Sequence, residues 1–159
     1  MNSFKIRPVV DSDIDLICSF PQNVEELYFM YPKAEYPLTH SQLQDAIETR
    51  SDSMVLENDQ NIIGFANFYQ WETSGQCSIG NVIIAPSSRG FGAGKRLIHE
   101  MMKIAKSKHN ANEIAISCFN KNTDGLIFYH KLGFKPYEIK PRFDKGNNPI
   151  VLIHMKKPI

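Results

Sequence analysis

Apolar and polar residues alternate over residues 4–7, 53–57, 61–71, 76–84, 113–118 and 150–155, the period expected of half-buried strands. Between them the period lengthens. Asp11 opens a helical pattern in which Ile14, Leu16 and Ile17 recur among polar positions, and Thr39 is placed to cap a further helix over 41–49 with Leu43 and Ile47 inward. From 23 to 40 the pattern is lost: Tyr28, Phe29, Tyr31 and Tyr36 stand among Pro32 and Pro37, which predicts a short helix and an aromatic loop. Leu97, Ile98, Met101, Ile104, Ala105 and Lys108 recur at helical spacing opposite Arg96, Glu100, Lys103 and Lys106, and this helix ends near His109 and Asn110. A last helix covers 122–132, and Gly133-Phe134 stops it and starts a strand. The order is β, two helices, three strands, α, β, α, β, β. Turn-rich links at 58–60 and 72–75 make the middle strands an antiparallel meander. Residues 140–148, with Gly146, Asn147 and Asn148, are expected to be the least ordered part, a mobile loop beside a site.

At 159 residues the chain suits one domain, 1–159, large enough to bury about two thirds of its unfolded surface without a disulfide or metal staple. Eighteen basic against 17 acidic side chains leave a net charge near +1, too little for nucleic acid or an anionic membrane to be the main partner. No uncharged apolar run approaches the ~18 residues of a membrane span, and the first eight residues hold no apolar leader-like stretch, so a cytoplasmic protein is expected. Cys18, Cys77 and Cys118 are odd in number and far apart, and the five histidines lack ligand spacing, so neither a disulfide framework, a metal site nor a nucleophilic triad is predicted.

The chemistry concentrates after the third strand of the meander, in Ala85-Pro86-Ser87-Ser88-Arg89-Gly90-Phe91-Gly92-Ala93-Gly94-Lys95. A helix start leaves about four N–H groups unpartnered and carries roughly half a positive charge, and Gly90, Gly92 and Gly94 leave room for an anion to approach them. A P-loop requires glycine where Arg89 stands and a hydroxyl residue where Arg96 follows Lys95. A dinucleotide fingerprint requires G-x-G-x-x-G early in a parallel unit, whereas this loop has G-x-G-x-G after a meander. What remains is [RQ]-x-x-G-x-[GA], filled by Arg89, Gly92 and Gly94, followed downstream by Asn122, Gly125 and Phe128-Tyr129-His130-Lys131-Leu132-Gly133-Phe134.

These two linked motifs resemble the GNAT superfamily of N-acetyltransferases, over the whole chain in element order and over residues 82–134 in motif detail. The resemblance implies a mixed, mostly antiparallel sheet of six to seven strands with about four helices, an α/β fold that some schemes class as α+β, with central strands 76–84 and 113–118 splayed apart. It implies acetyl-CoA as donor, held by the backbone of Val82 and Ile84, by the loop residues Arg89, Gly90, Phe91, Gly92, Ala93, Gly94 and Lys95, and by Asn122, Tyr129 and Lys131. Gly80-Asn81 would mark a strand bulge there. The Val82 N–H would polarise the thioester carbonyl, and Tyr129 would be the general acid toward the leaving thiolate.

Family members often carry a glutamate on the strand before the loop, but Glu72 and Glu100 bracket a stretch with no carboxylate, so a water chain is the expected route for the amine proton, with Glu72 as a weaker alternative. Cys118 reads as a packed strand residue. Acceptor contacts are expected from Tyr28, Tyr31, Tyr69, Trp71 and Arg142, with Phe29, Tyr36, Phe68 and Phe143 nearby, an aromatic wall suited to a cationic amine. Residues 31–39 and 64–71 also resemble a bacterial subgroup that can acetylate lysine amines of short peptides, particularly at a carboxyl terminus. The expected partner is thus a small-molecule amine or a lysine-containing peptide, and the chain a monomer or homodimer. The alternatives are an acyl-CoA-binding regulatory module without turnover and a nucleotide-binding protein.

Overall fold

The structure, a computed structural model, describes residues 3–159. Seven strands form one sheet in the order β1-β2-β3-β4-β5-β7-β6: β1 Phe4–Pro8, β2 Ser51–Asn58, β3 Asn61–Trp71, β4 Gln76–Ile84, β5 Glu113–Phe119, β6 Lys135–Phe143 and β7 Pro149–Pro158. All neighbours are antiparallel except β4 and β5. Five helices cover the sheet: α1 Ile14–Cys18, α2 Val24–Met30, α3 His40–Thr49, α4 Ala93–His109 and α5 Thr123–Lys131. The segment around residue 24 yields a distinct helix because Asn23 caps it, its side chain accepting from the Glu26 N–H at 2.9 Å.

Two layers sandwich the sheet, and strand alternation assigns them. Gly64 on β3 faces α4, since a Cβ there would lie 3.4 Å from Leu97, whereas Asn67, three residues on, bonds Asn81, which in turn bonds the Met30 carbonyl of α2. Thus α1 to α3 lie on one face and α4 with α5 on the other. The α4 stripe buries Ala93, Leu97, Ile98, Met101 and Ala105, and each fully buried Leu, Ile or Met contributes about 2 kcal/mol. Lys108, assigned to that stripe by spacing, is instead exposed and reaches the Asp52 carboxylate at 2.6 Å. Leu16 is likewise exposed: α1 has under two turns and buries only Ile14 and Ile17.

The segment 140–148 differs from its expected disorder. It is strand through Phe143, and the following turn is tied by Asp144, whose carboxylate accepts from the Gly146 and Asn148 N–H groups at 3.0 and 2.8 Å. Hairpin pairing from Lys135 to Phe143 against β7 outweighs the turn-rich composition.

Candidate active site

The parallel pairing of β4 with β5 runs from Gln76 opposite Glu113 to Ile79 opposite Ile116 and goes no further. Beyond it β4 stays with β3 and β5 stays with β7, so the two strands part and open a split with Gly80 and Ser117 at its apex. A bulge at the apex of β4 sharpens the parting: Asn67 pairs with Gly80 and Phe65 with Ile83, so Asn81 and Val82 are opposed by a single β3 residue. Asn81 takes a left-handed φ of 51°, which Asn tolerates better than most residues, and its buried amide is satisfied by Asn67 at 2.9 Å and the Met30 carbonyl at 3.0 Å. Val82 and Ile84 therefore line the split on a strand whose β5-facing edge has no partner strand.

At the mouth of the split stands the start of α4. Its N-cap is Gly92 with φ 88°, it has no side-chain cap, and its first turn has no acidic residue, whereas α2, α3 and α5 are capped by Asn23, Thr39 and Asn122. Gly90 has φ 82°, and a Cβ on Gly90 or Gly92 would meet nothing within 4 Å, so both faces of the loop are open. Ala93 is buried, Lys95 is exposed and Phe91 is 71% exposed. The donor set and open cradle fit a diphosphate.

Gly94 serves a different purpose. A Cβ there would lie 3.1 Å from the Phe128 ring, so glycine lets the first turn of α4 rest on α5. The two halves of the sequence motif are thus one packing unit: Phe128 holds the loop helix, and its neighbour Tyr129 turns inward, 8% exposed, between Phe128 and Phe134 at ring distances of 5.2 and 6.0 Å. Burial, with Cys118 beside it, pushes the Tyr129 phenol above its ordinary value, so it stays protonated through neutral pH. Burial also pushes the Cys118 thiol up to about 12, which leaves it neutral and unsuited to nucleophilic attack.

Other expected residues fall at varied places. The Arg89 guanidinium braces the loop: it donates to the Ile84 carbonyl at 3.0 Å and the Glu26 carboxylate at 2.8 Å, joining the end of β4 to α2. Asn122 caps α5 through the Gly125 N–H at 3.0 Å, and a Cβ on Gly125 would strike its amide at 2.6 Å. Lys131 is exposed in the last turn of α5. Tyr28 is a pillar, stacked on Phe119 at 4.7 Å, with its hydroxyl donating to the Phe143 carbonyl at 3.0 Å. Arg142 is exposed on β6 next to that contact. Trp71, 42% exposed, sits opposite Cys77 in the closed part of the sheet, away from the apex that Tyr31 and Tyr69 approach. Glu72 follows it, and Cys77 lies five positions before Val82, about 16 Å along a strand at ~3.3 Å per residue, so Glu72 stands far from Val82.

Sequence reasoning missed Arg50, at the end of α3. Its guanidinium lies over the rings of Tyr31 and Tyr69, 5.6 and 5.7 Å from their centroids, and donates to Asn67 Oδ1 at 3.4 Å. Burial pulls it below the usual guanidinium value, and among the described residues no carboxylate pairs with it. Its partners lie 19 residues before it and 19 after, so no local pattern marks it.

Residues 19–134 match the model of the Acetyltransferase (GNAT) family, and the chain belongs to that family. Among proteins of similar fold, the spermidine N-acetyltransferase of Vibrio cholerae, solved with CoA and spermine, superposes with a TM-score of 0.79 at 19% identity, covering 98% of this chain and 95% of that one. The ribosomal-protein-alanine N-acetyltransferase of Brucella melitensis gives 0.78 at 16% identity, covering 98% and 99%. A glucosamine 6-phosphate N-acetyltransferase of Trypanosoma brucei brucei is 38% identical over 66 residues, a stretch that spans 42% of this chain and 42% of that protein. Among the described residues no helix is long and apolar enough to cross a membrane.

Proposed function

We propose that the chain transfers an acetyl group from acetyl-CoA to a primary amine, a lysine side chain of a peptide or a small-molecule amine, by direct attack with both substrates bound. One observation carries this: the strand split opens beside a long helix whose first turn has neither a side-chain cap nor an acidic residue, next to a buried tyrosine that keeps its proton. Acetyl-CoA supplies the activated thioester. The N–H groups of residues 90–95 would hold its pyrophosphate, the backbone of Val82 and Ile84 its pantetheine arm, and the Val82 N–H its carbonyl oxygen, a donor worth about 3 kcal/mol of transition-state stabilisation. Asn122 and Lys131 would flank the coenzyme from α5, and Tyr129 would donate to the departing sulfur from the α5 face.

On the opposite face, Arg50 with Tyr31 and Tyr69 favours an acceptor that carries a carboxylate as well as an amine. The half-buried guanidinium has no carboxylate partner among the described residues, so an incoming carboxylate could pair with it, while its cation–π contacts contribute only about 1 kcal/mol each. This agrees with a lysine bearing a free carboxyl terminus. The test is thiol release from acetyl-CoA over an amine panel that pairs each lysine peptide acid with its amide. The acids are expected to have KM values at least tenfold lower, and Arg50→Gln to erase the difference. Tyr129→Phe is expected to lower kcat with little change in acetyl-CoA affinity; an unchanged kcat removes Tyr129 from the chemistry.

A further inference from the structure

Three side chains from three strands meet on the α1–α3 face of the split. The Tyr69 hydroxyl lies 2.9 Å from Ser117 Oγ, and Ser117 Oγ lies 2.6 Å from His154 Nδ1. Tyr69 is on β3, and its phenol crosses over β4 to reach β5. It can do so because Gly80 lies beneath it, where a Cβ would come within 2.8 Å of the ring. Ser117 is the first β5 residue past the last β4 pair, so the chain of hydroxyls begins at the apex of the split. It ends at His154 on β7, whose other nitrogen, Nε2, is buried without a hydrogen-bond partner among the described residues.

We propose that Tyr69, Ser117 and His154 form a proton-exit chain for the acceptor amine, on the face of the sheet opposite Tyr129; this rests on the acetyltransferase reading above. An alkylammonium acceptor brings three protons. As its N–C bond forms and the C–S bond breaks, one stays on the amide nitrogen, one ends on sulfur, and the third must leave. The third passes to Tyr69 Oη while the Tyr69 proton moves to Ser117 Oγ and the Ser117 proton to His154 Nδ1. Tyr69 would be the group that touches the amine; Ser117 and His154 act through it.

The surroundings suit a transient proton acceptor. Burial, with Lys140 and Arg142 on β6, holds His154 below the ordinary imidazole value against the opposing pull of Glu138, which pairs with it across the strands. The imidazole is therefore neutral at rest. Tyr137 packs 6.0 Å from its ring, and Arg50 covers the Tyr69 end. A proton taken up at Nδ1 rests there until product leaves, then returns through Ser117 to Tyr69, which is 38% exposed to solvent. With Nδ1 accepting from Ser117, the hydrogen of the neutral ring must sit on Nε2.

The test has two parts. In the unliganded protein, nitrogen-detected NMR of the imidazole should show His154 as the Nε2–H tautomer; an Nδ1–H tautomer would reverse the direction of the chain and overturn it. In steady-state assays with an alkylamine acceptor, Tyr69→Phe, Ser117→Ala and His154→Gln should each lower kcat/KM at pH 7 by about 10²-fold, the range of general base catalysis, with the deficit shrinking as pH rises. The KM for acetyl-CoA should not move. With a weakly basic amine, already neutral at pH 7, the three variants should match wild type. Equal losses with both kinds of amine would mean a structural role, and an unchanged pH profile would mean none; either overturns the proposal. Wild-type protein that releases no thiol with any amine overturns the acetyltransferase reading itself.

Discussion

Replacing Gly80 with alanine is expected to damage acceptor use far more than stability. Its φ lies outside the left-handed region, so glycine is required by space and not by the backbone. The new methyl would stand 2.6 Å from Arg50 Nη1 and 2.8 Å from Tyr69 Cδ1, against ordinary contacts that begin at 3.4 Å. The Arg50 tip can swing away. The Tyr69 ring must move by about 0.6 Å or more, and its hydroxyl is the atom held by Ser117 at 2.9 Å. Overpacking costs about 1–2 kcal/mol, offset by about 0.5–1 kcal/mol from replacing a strand glycine, so Tm should fall by no more than about 6 °C. Displacing positioned groups by a fraction of an ångström to 1 Å lowers turnover by about 10–100-fold. Thermal melts with steady-state kinetics in each substrate separate the two effects: kcat/KM for the amine should drop while the KM for acetyl-CoA holds. An unchanged kcat/KM for the amine would refute the placement of the acceptor at Tyr69.

Asp13 should govern acid stability. Its buried carboxylate accepts two bonds from Arg7, at 2.8 and 3.0 Å, and one from the Val10 N–H at 2.8 Å, and the Arg7 bonds hold it below the usual carboxylate range against burial. Because the folded value is the lower one, this contribution is present above about pH 4 and is lost as pH falls through the folded value. Arg7 keeps Glu57 at 2.6 Å, so urea denaturation from pH 3 to 7 should show Asp13→Asn less stable by about 1.5–2 kcal/mol near neutrality and with a flatter acid limb; a parallel acid limb would contradict it. Cys118→Ala should keep turnover and lose about 1–2 kcal/mol of stability to the cavity, and no acetyl-enzyme should be found by mass spectrometry. Abolished turnover in a folded variant would reinstate the thiol as a nucleophile.

How much of this was legible differs by element. The bounds of β3 and β4 follow from alternation, and the Asn81 bulge was signalled by Gly80-Asn81 inside a strand. The glycines were legible as a group but not one by one: Gly90 and Gly92 are needed for positive φ, whereas Gly94 is needed for contact with a ring 34 residues later. Arg89 and Asn122 matched a motif, and the structure shows them also bracing a loop and capping a helix, roles that a pattern of letters does not separate. Trp71 and Glu72 looked suitable by residue type, yet strand register carries them to the closed end of the sheet. Arg50 and the contact of Ser117 with His154 could not be read at all, because they depend on cross-strand register and on a tyrosine that spans a neighbouring strand.

The central claim is that the split and the uncapped start of α4 hold the coenzyme. Calorimetric titration of acetyl-CoA into wild type, Gly92→Asn and Gly92→Asp tests it most directly. Asn and Asp tolerate the left-handed φ alike, but only Asp sets a negative charge against the first N–H groups of the helix. Wild type should show one binding site, the Asn variant a modest loss and the Asp variant a further loss of at least tenfold, all three remaining folded. Absence of binding to folded wild type, or equal affinity in the Asn and Asp variants, would contradict it.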